Sequence, residues 1–139
     1  MRNGSPRVLA LIIGLTCLIS ISSCGTTTHT LKGTLDLLDF QTALGGCDTS
    51  QSNDGYTDIA AGEQVIVKNA SGTTIGTGML GSGHPLSDDA NCHYDFTVVG
   101  LPDSSYYEIG LGSRGTQTFS ESQFISDHWS ITLTLGVGG

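Results

Sequence analysis

The sequence predicts an all-β protein: an antiparallel β-sandwich of about seven strands, with one short helix near Ser120–Ser126. Three observations predict it. Apolar residues recur with a period of two in several stretches, the mark of half-buried strands. Gly, Asn, Asp and Ser gather between those stretches, where turns need them. No segment sustains the 3.6-residue period of a long helix, which excludes architectures built on crossover helices.

The elements follow in chain order. Leu31, Gly33, Leu35 and Leu37 alternate with Thr30, Lys32, Thr34 and Asp36 and form a first strand. Gly45 to Gly55 is polar and reads as a long loop fastened by Cys47. Gln64 to Lys68 is the next strand. Asn69-Ala70-Ser71-Gly72 makes a hairpin turn, with Gly72 free to take positive φ. Thr73 to Leu80 returns as a strand with Ile75 and Met79 on one face. Gly81 to Asn91 is a second polar loop, ending at Cys92.

Tyr94, Phe96 and Val98 then alternate with His93, Asp95 and Thr97, and Leu101-Pro102-Asp103 turns the chain. Tyr107, Ile109 and Leu111 alternate with Tyr106, Glu108 and Gly110. Of the aromatic residues Tyr94, Tyr106, Tyr107 and Trp129, only Tyr106 is expected outside. Ser120 and Gln123 stand at capping-box spacing, so one or two helical turns run through about Ser126. Trp129, Ile131, Leu133 and Leu135 alternate with Ser130, Thr132 and Thr134 as the last strand.

The first residues set the expected address. Arg2 and Arg7 precede an apolar run from Val8 to Ile19, the pattern of an export signal. The run is shorter than the roughly 20 residues that span a bilayer. It closes on Ile21-Ser22-Ser23-Cys24, which resembles the bacterial lipobox: an aliphatic residue, two small residues, then cysteine. The resemblance implies cleavage before Cys24 and acylation of that residue. A second acyl chain gives stable attachment where a single chain of about 14 carbons holds only marginally. The organisation expected is a removed signal peptide over 1–23, a polar tether over 24–29 and a β-sandwich over 30–139. The partner so implied is the cell membrane, through an N-terminal acyl anchor on its extracytoplasmic side.

Charge and cysteines fit one small exported domain. Removing residues 1–23 leaves 116 of the 139 residues, one domain's worth of core. Those 116 hold Lys32, Lys68 and Arg114 against thirteen acids, a formal charge of −10. Such a balance excludes nucleic acid as a partner, since that needs basic patches. Cys17 leaves with the leader and Cys24 takes the lipid. Cys47 and Cys92 then remain as a disulfide pair in an oxidising compartment. No Cys-x-x-Cys or zinc-type spacing competes with that pairing.

Gly62 to Ile75 resembles the opening of a prealbumin-like, carboxypeptidase-regulatory-type module. The likeness continues through Tyr94 to Val99, Gly100-Leu101-Pro102 and Tyr106 to Ile109, and closes with Trp129 to Leu135. It implies a sandwich that serves binding, spacing or adhesion. Relatives with a Lys–Asn isopeptide bond would use a residue such as Lys32, but Ser130 to Leu135 supplies no Asn or Asp, so no isopeptide is expected. The Tyr-Arg-Gly-Ser ending of the transthyretin-related hydrolases is also absent. The alternative is that the mature chain as a whole resembles an uncharacterised lipoprotein family of actinobacterial type instead.

Candidate chemistry is sparse. His84, Asp88, Asp89 and His93 gather imidazoles and carboxylates in the Gly81–His93 loop, the ligand types of zinc and its neighbours, at no standard spacing. Asp48, Asn53, Asp54 and Asp58 offer hard oxygens to calcium, without the rest of a calcium-loop pattern. No Gly-x-Ser-x-Gly elbow marks a nucleophile. The function expected is therefore a lipid-anchored binding or structural module of the bacterial envelope, with an envelope protein or glycan as partner. No cofactor, resident metal or catalytic residue is expected. The alternatives are a small-ligand or metal carrier using the Gly81–His93 loop, and a small envelope hydrolase.

Overall fold

The computed structural model describes residues 1, 25–47, 49, 55–85 and 91–136. The described residues form ten elements: β1 (Thr28–Leu38), α1 (Phe40–Leu44), β2 (Gln64–Asn69), β3 (Thr74–Met79), β4 (His84–Pro85), β5 (Cys92–Pro102), β6 (Tyr106–Leu111), β7 (Thr116–Ser120), α2 (Glu121–Ser126) and β8 (Ser130–Gly136). Two four-stranded sheets stack as a sandwich, in the orders β4-β5-β1-β8 and β3-β2-β6-β7. No described helix is long and apolar enough to cross a membrane.

The period of two becomes the core. Leu31, Leu35 and Leu37 from β1 meet Tyr94, Phe96 and Val98 from β5 and Ile131 and Leu133 from β8. Val65 and Val67, Tyr107, Ile109 and Leu111 close the opposite face. Tyr106, one residue out of phase, stays 53% exposed, as its place in the alternation requires.

Several features depart from the expected pattern. Among the described residues the strands number eight: the six expected one by one, with β7 and the two-residue β4 added. Among the described residues all strand pairs are antiparallel except one: β8 runs parallel to β1, Lys32 opposite Ser130 through Leu38 opposite Gly136. β1 begins at Thr28, so Thr28 and His29, expected to lie ahead of the sandwich, are part of its sheet. Ile75 and Met79 do not share an environment. A register shift in the β2–β3 pair leaves Ile75 beside the core, while Met79 is 67% exposed. Gly76 and Gly78 lie opposite the buried Val67 and Val65, and a side chain on either would collide with Val98, Leu101 or the Thr97 carbonyl of β5. Their bareness lets β3 press against the other sheet. A single bridge from Leu80 to Phe96 then stitches the two sheets together.

The sandwich has two distinct ends. At the tether end, residues 25–27 enter β1. The β2–β3 turn lies there too, with Gly72 at φ 76° as foreseen. At this end the Tyr107 hydroxyl donates to the Pro102 carbonyl at 3.0 Å and accepts the Ser104 N–H at 2.8 Å, tying β6 back to the turn before it. Helix α2 plugs the same end. Ser120 caps it, and the Gln123 side chain reciprocates to the Ser120 N–H at 2.8 Å. It stops in a paired motif: the Trp129 N–H reaches the Phe124 carbonyl at 2.7 Å and the His128 N–H reaches Ile125 at 3.3 Å. His128 takes the left-handed position usually given to glycine, at φ 53°. Phe124, Trp129 and Tyr107 pack there as an aromatic cluster, with ring centroids 4.8 to 5.6 Å apart.

The loop end holds α1, the Cys47–Cys92 disulfide and the longer connections. The two cysteines are bonded, with Cα atoms 5.6 Å apart across 45 residues of chain. In the loop-entropy model a closure of that size is worth about 4 kcal/mol. The Tyr94 hydroxyl donates to the Cys47 carbonyl at 3.1 Å, and the Thr49 hydroxyl donates to the Ile59 carbonyl at 2.7 Å, so the loop is tied to the core at more than the sulfurs.

Candidate functional site

Strand alternation that buries Cys92 and Tyr94 must turn His93 outward, and alternation that buries Leu35 and Leu37 must turn Asp36 outward. Register then sets their neighbours. His93 lies opposite Asp36 of β1 on one side and His84 of β4 on the other. The result is a row of three polar side chains, His84–His93–Asp36, across the outer face of one sheet at its loop end.

The geometry within the row is uneven. His93 Nδ1 stands 2.6 Å from Asp36 Oδ1, with 12% of the histidine side chain and 26% of the aspartate exposed. The contact is close but outside hydrogen-bond alignment, and Asp36 Oδ1 has no aligned donor among the described residues. Nε2 of His93 is buried with no hydrogen-bond partner there. The His84 ring lies 6.1 Å from that of His93, centroid to centroid, tilted by 35°. A carboxylate beside Nδ1 favours the proton on that nitrogen, which leaves the lone pair on Nε2. The adjacent cross-strand pair is ordinary by contrast: the Thr34 hydroxyl donates to Asp95 at 3.2 Å.

Two of the four loop candidates, His84 and His93, are thus brought side by side, while Asp88 and Asp89 lie outside the described residues. Asp36 enters the row from 57 residues earlier in the chain, and only strand register reveals it. Among the described residues no three His, Cys, Asp or Glu side chains converge as a metal cage. Of the calcium candidates, Asp48, Asn53 and Asp54 lie outside the described residues. Asp58 is held by Arg114, whose Nε donates to Oδ2 at 2.8 Å and whose Nη2 reaches Oδ1 and the Gly55 carbonyl. The Arg114 guanidinium also lies 5.1 Å over the Tyr56 ring. The hydrogen bond from Arg114 keeps the Asp58 carboxyl below its ordinary pKa, against the opposing effect of burial. A carboxylate so engaged is a structural clamp. Cys24, the expected lipidation site, lies outside the described residues.

Two further places gather ring, charged or apolar groups. At the tether end, His29 Nε2 lies 2.6 Å from Asp103 Oδ1, and its ring stacks on Trp129 at 3.9 Å with the planes 7° apart. Through that bond and that stack the histidine helps to hold β1 against the turn after β5 and the start of β8. Between β7 and β8 the sheets part around a cleft of about 240 Å³, lined by Leu35, Ile109, Leu111, Leu133 and Leu135 with Arg114 at its edge. The cleft offers apolar shape, and among the described residues its one charged group, Arg114, is already paired with Asp58.

No family model, curated protein or solved structure matches this chain.

Proposed function

We propose that this chain is a lipid-anchored, extracytoplasmic β-sandwich that binds or presents a partner at the bacterial cell envelope, with Cys24 carrying the lipid. The Cys47–Cys92 disulfide carries the reading, because structural disulfides persist in oxidising, extracytoplasmic compartments. The basic start, the apolar run and Ile21-Ser22-Ser23-Cys24 agree with it. So does the direction of β1: the chain enters the sandwich at one end, and the histidine row and long connections lie at the other. An anchor at Cys24 then leaves the loop end facing away from the membrane, where a partner is met. The acidic surface suits a basic or cation-bearing partner over nucleic acid or anionic headgroups.

The test is intact mass spectrometry of the native protein extracted from its own membrane, with and without reduction. The expected mass is that of residues 24–139 plus acyl groups, rising by about 2 Da on reduction. An unacylated chain beginning elsewhere would withdraw the anchor and leave Cys24 as a third thiol to be placed.

A further inference from the structure

We propose that His84 and His93 form a two-imidazole site for a divalent transition-metal ion, with Asp36 as the positioning residue of His93. The inference stands apart from the lipid anchor and rests on the row itself.

Four observations carry it. The two histidines are directly opposite across an antiparallel pair, which sets their Cβ atoms about 5 Å apart on one face. Their rings stand 6.1 Å apart, a spacing that one ion with ligand bonds of about 2 Å can bridge after a small turn of the exposed His84 ring. His93 Nε2 is a buried nitrogen with no partner among the described residues, an arrangement that costs free energy unless something accepts its lone pair. Asp36 sits at the other ring nitrogen of the same histidine, the place where metal-binding histidines find the carboxylate that orients them.

Donor chemistry names the class of ion. Imidazole nitrogens suit copper(II), nickel(II) and zinc, whereas calcium and magnesium take oxygen ligands. Two nitrogens do not complete a coordination sphere, so the remaining positions fall to water or to a donor from outside the row. The site is an open one, suited to carrying an ion or to gripping a partner that supplies further ligands. The negative charge of the domain raises the local concentration of cations around it. The row sits on the outer face of a sheet whose inner face is packed core, so the strands fix the spacing of the ligands. The disulfide at the neighbouring Cys92 holds the end of β5 in place.

The experiment uses the untagged native protein in detergent with the disulfide intact. Copper(II) is titrated by calorimetry and by electron paramagnetic resonance. The wild type binds one copper per chain with two imidazole nitrogens coupled to it. His84→Asn and His93→Asn each weaken binding about tenfold or more and leave one coupled nitrogen. Asp36→Asn weakens binding by about 10- to 100-fold with both nitrogens retained, the signature of a positioning role. His128→Asn leaves binding unchanged. Thermal unfolding of each variant without metal shows that it is folded; exposed His84 is the safest to replace. Zinc competes for the copper and calcium does not. Silence up to about 1 mM copper overturns the proposal, since that limit corresponds to only about 4 kcal/mol of binding. Unchanged binding in the His84→Asn/His93→Asn double variant overturns it equally.

Discussion

Each end of the sandwich holds a histidine with a ring nitrogen 2.6 Å from a carboxylate oxygen, yet the two pairs differ in kind. His29 at the tether end makes an aligned bond to Asp103 and stacks flat on Trp129. His93 at the loop end meets Asp36 off the bonding direction, and its other nitrogen is buried without a partner. The first histidine behaves as a fastening. The second leaves a buried ring nitrogen unpartnered among the described residues, with little structural return. The difference shows that a short histidine–carboxylate distance alone does not mark a functional residue. What marks one is the state of the remaining ring nitrogen.

The contrast extends to how each end is held, and it can be broken experimentally. The largest effect belongs to the covalent staple. Replacing Cys47 and Cys92 together by Ala should cost about 4 kcal/mol in urea unfolding. A loss under about 1 kcal/mol would mean that hydrogen bonds such as Tyr94 to Cys47 hold the loop end without the sulfurs.

Next comes Tyr107→Phe at the tether end, expected to cost about 1–3 kcal/mol because the Ser104 N–H and the Pro102 carbonyl both lose a partner. Burial raises the Tyr107 phenol above its ordinary pKa of 10.0, with Glu121 and Asp103 adding in the same direction. The folded value lies above the unfolded one, so this contribution is complete below about pH 10 and fades as pH rises through the folded value. The wild type should therefore show an alkaline loss of stability that Tyr107→Phe reduces. An identical alkaline limb in both proteins would remove Tyr107 from the account.

His128→Gly should add about 1 kcal/mol, since glycine takes φ 53° without the crowding a Cβ suffers there. A thermal scan reads it, and a destabilised variant would mean that the His128 side chain itself contributes to the turn. His29→Gln should cost about 1 kcal/mol through loss of the Trp129 stack, and His93→Gln should cost less. A reversed order in denaturant midpoints would make His93 the fastening and dissolve the contrast drawn above.

The smallest effect is expected from Asp58→Asn. Arg114 depresses the Asp58 pKa below 3.8, so the pair contributes above the unfolded value and is lost as pH falls through the folded one. The carboxylate side chain is 43% exposed, and solvent screens much of the gain. Between about pH 5 and pH 2 the variant should lose stability less steeply than the wild type, and parallel acid limbs would show that the clamp is worth nothing measurable.

Much of this fold is legible along the chain because its strands are half-buried and alternate. Leu31 to Leu37, Tyr94 to Val98 and Ile131 to Leu135 announce themselves in that way, and the Ser120–Gln123 capping box announces α2. The exceptions have physical causes. β7 is an edge strand with Thr116, Gln117 and Thr118 exposed, so it shows no alternation. β1 and β8 pair in parallel, a choice that periodicity alone does not encode. The inward face of β3 is made of Gly76 and Gly78, which carry no hydrophobic signal because their role is to be absent from the space that Val98 and Leu101 fill. The candidate site was half visible for a related reason. His84 and His93 flag themselves by residue type, but Asp36 looks like any outward residue of a strand until pairing places it beside His93.

The parallel pairing of the first and last strands has a mechanical consequence. A pull on the residues ahead of Thr28 draws β1 toward the tether end, while a pull on the chain beyond Gly136 draws β8 toward the other. The two strands lie side by side from Lys32 and Ser130 to Leu38 and Gly136, so opposed forces slide them along each other. The rungs of that ladder then share the load and must fail together, instead of opening one at a time as in an unzipped hairpin. Tension applied between the two termini therefore meets the seam of the sandwich in shear, its strongest direction.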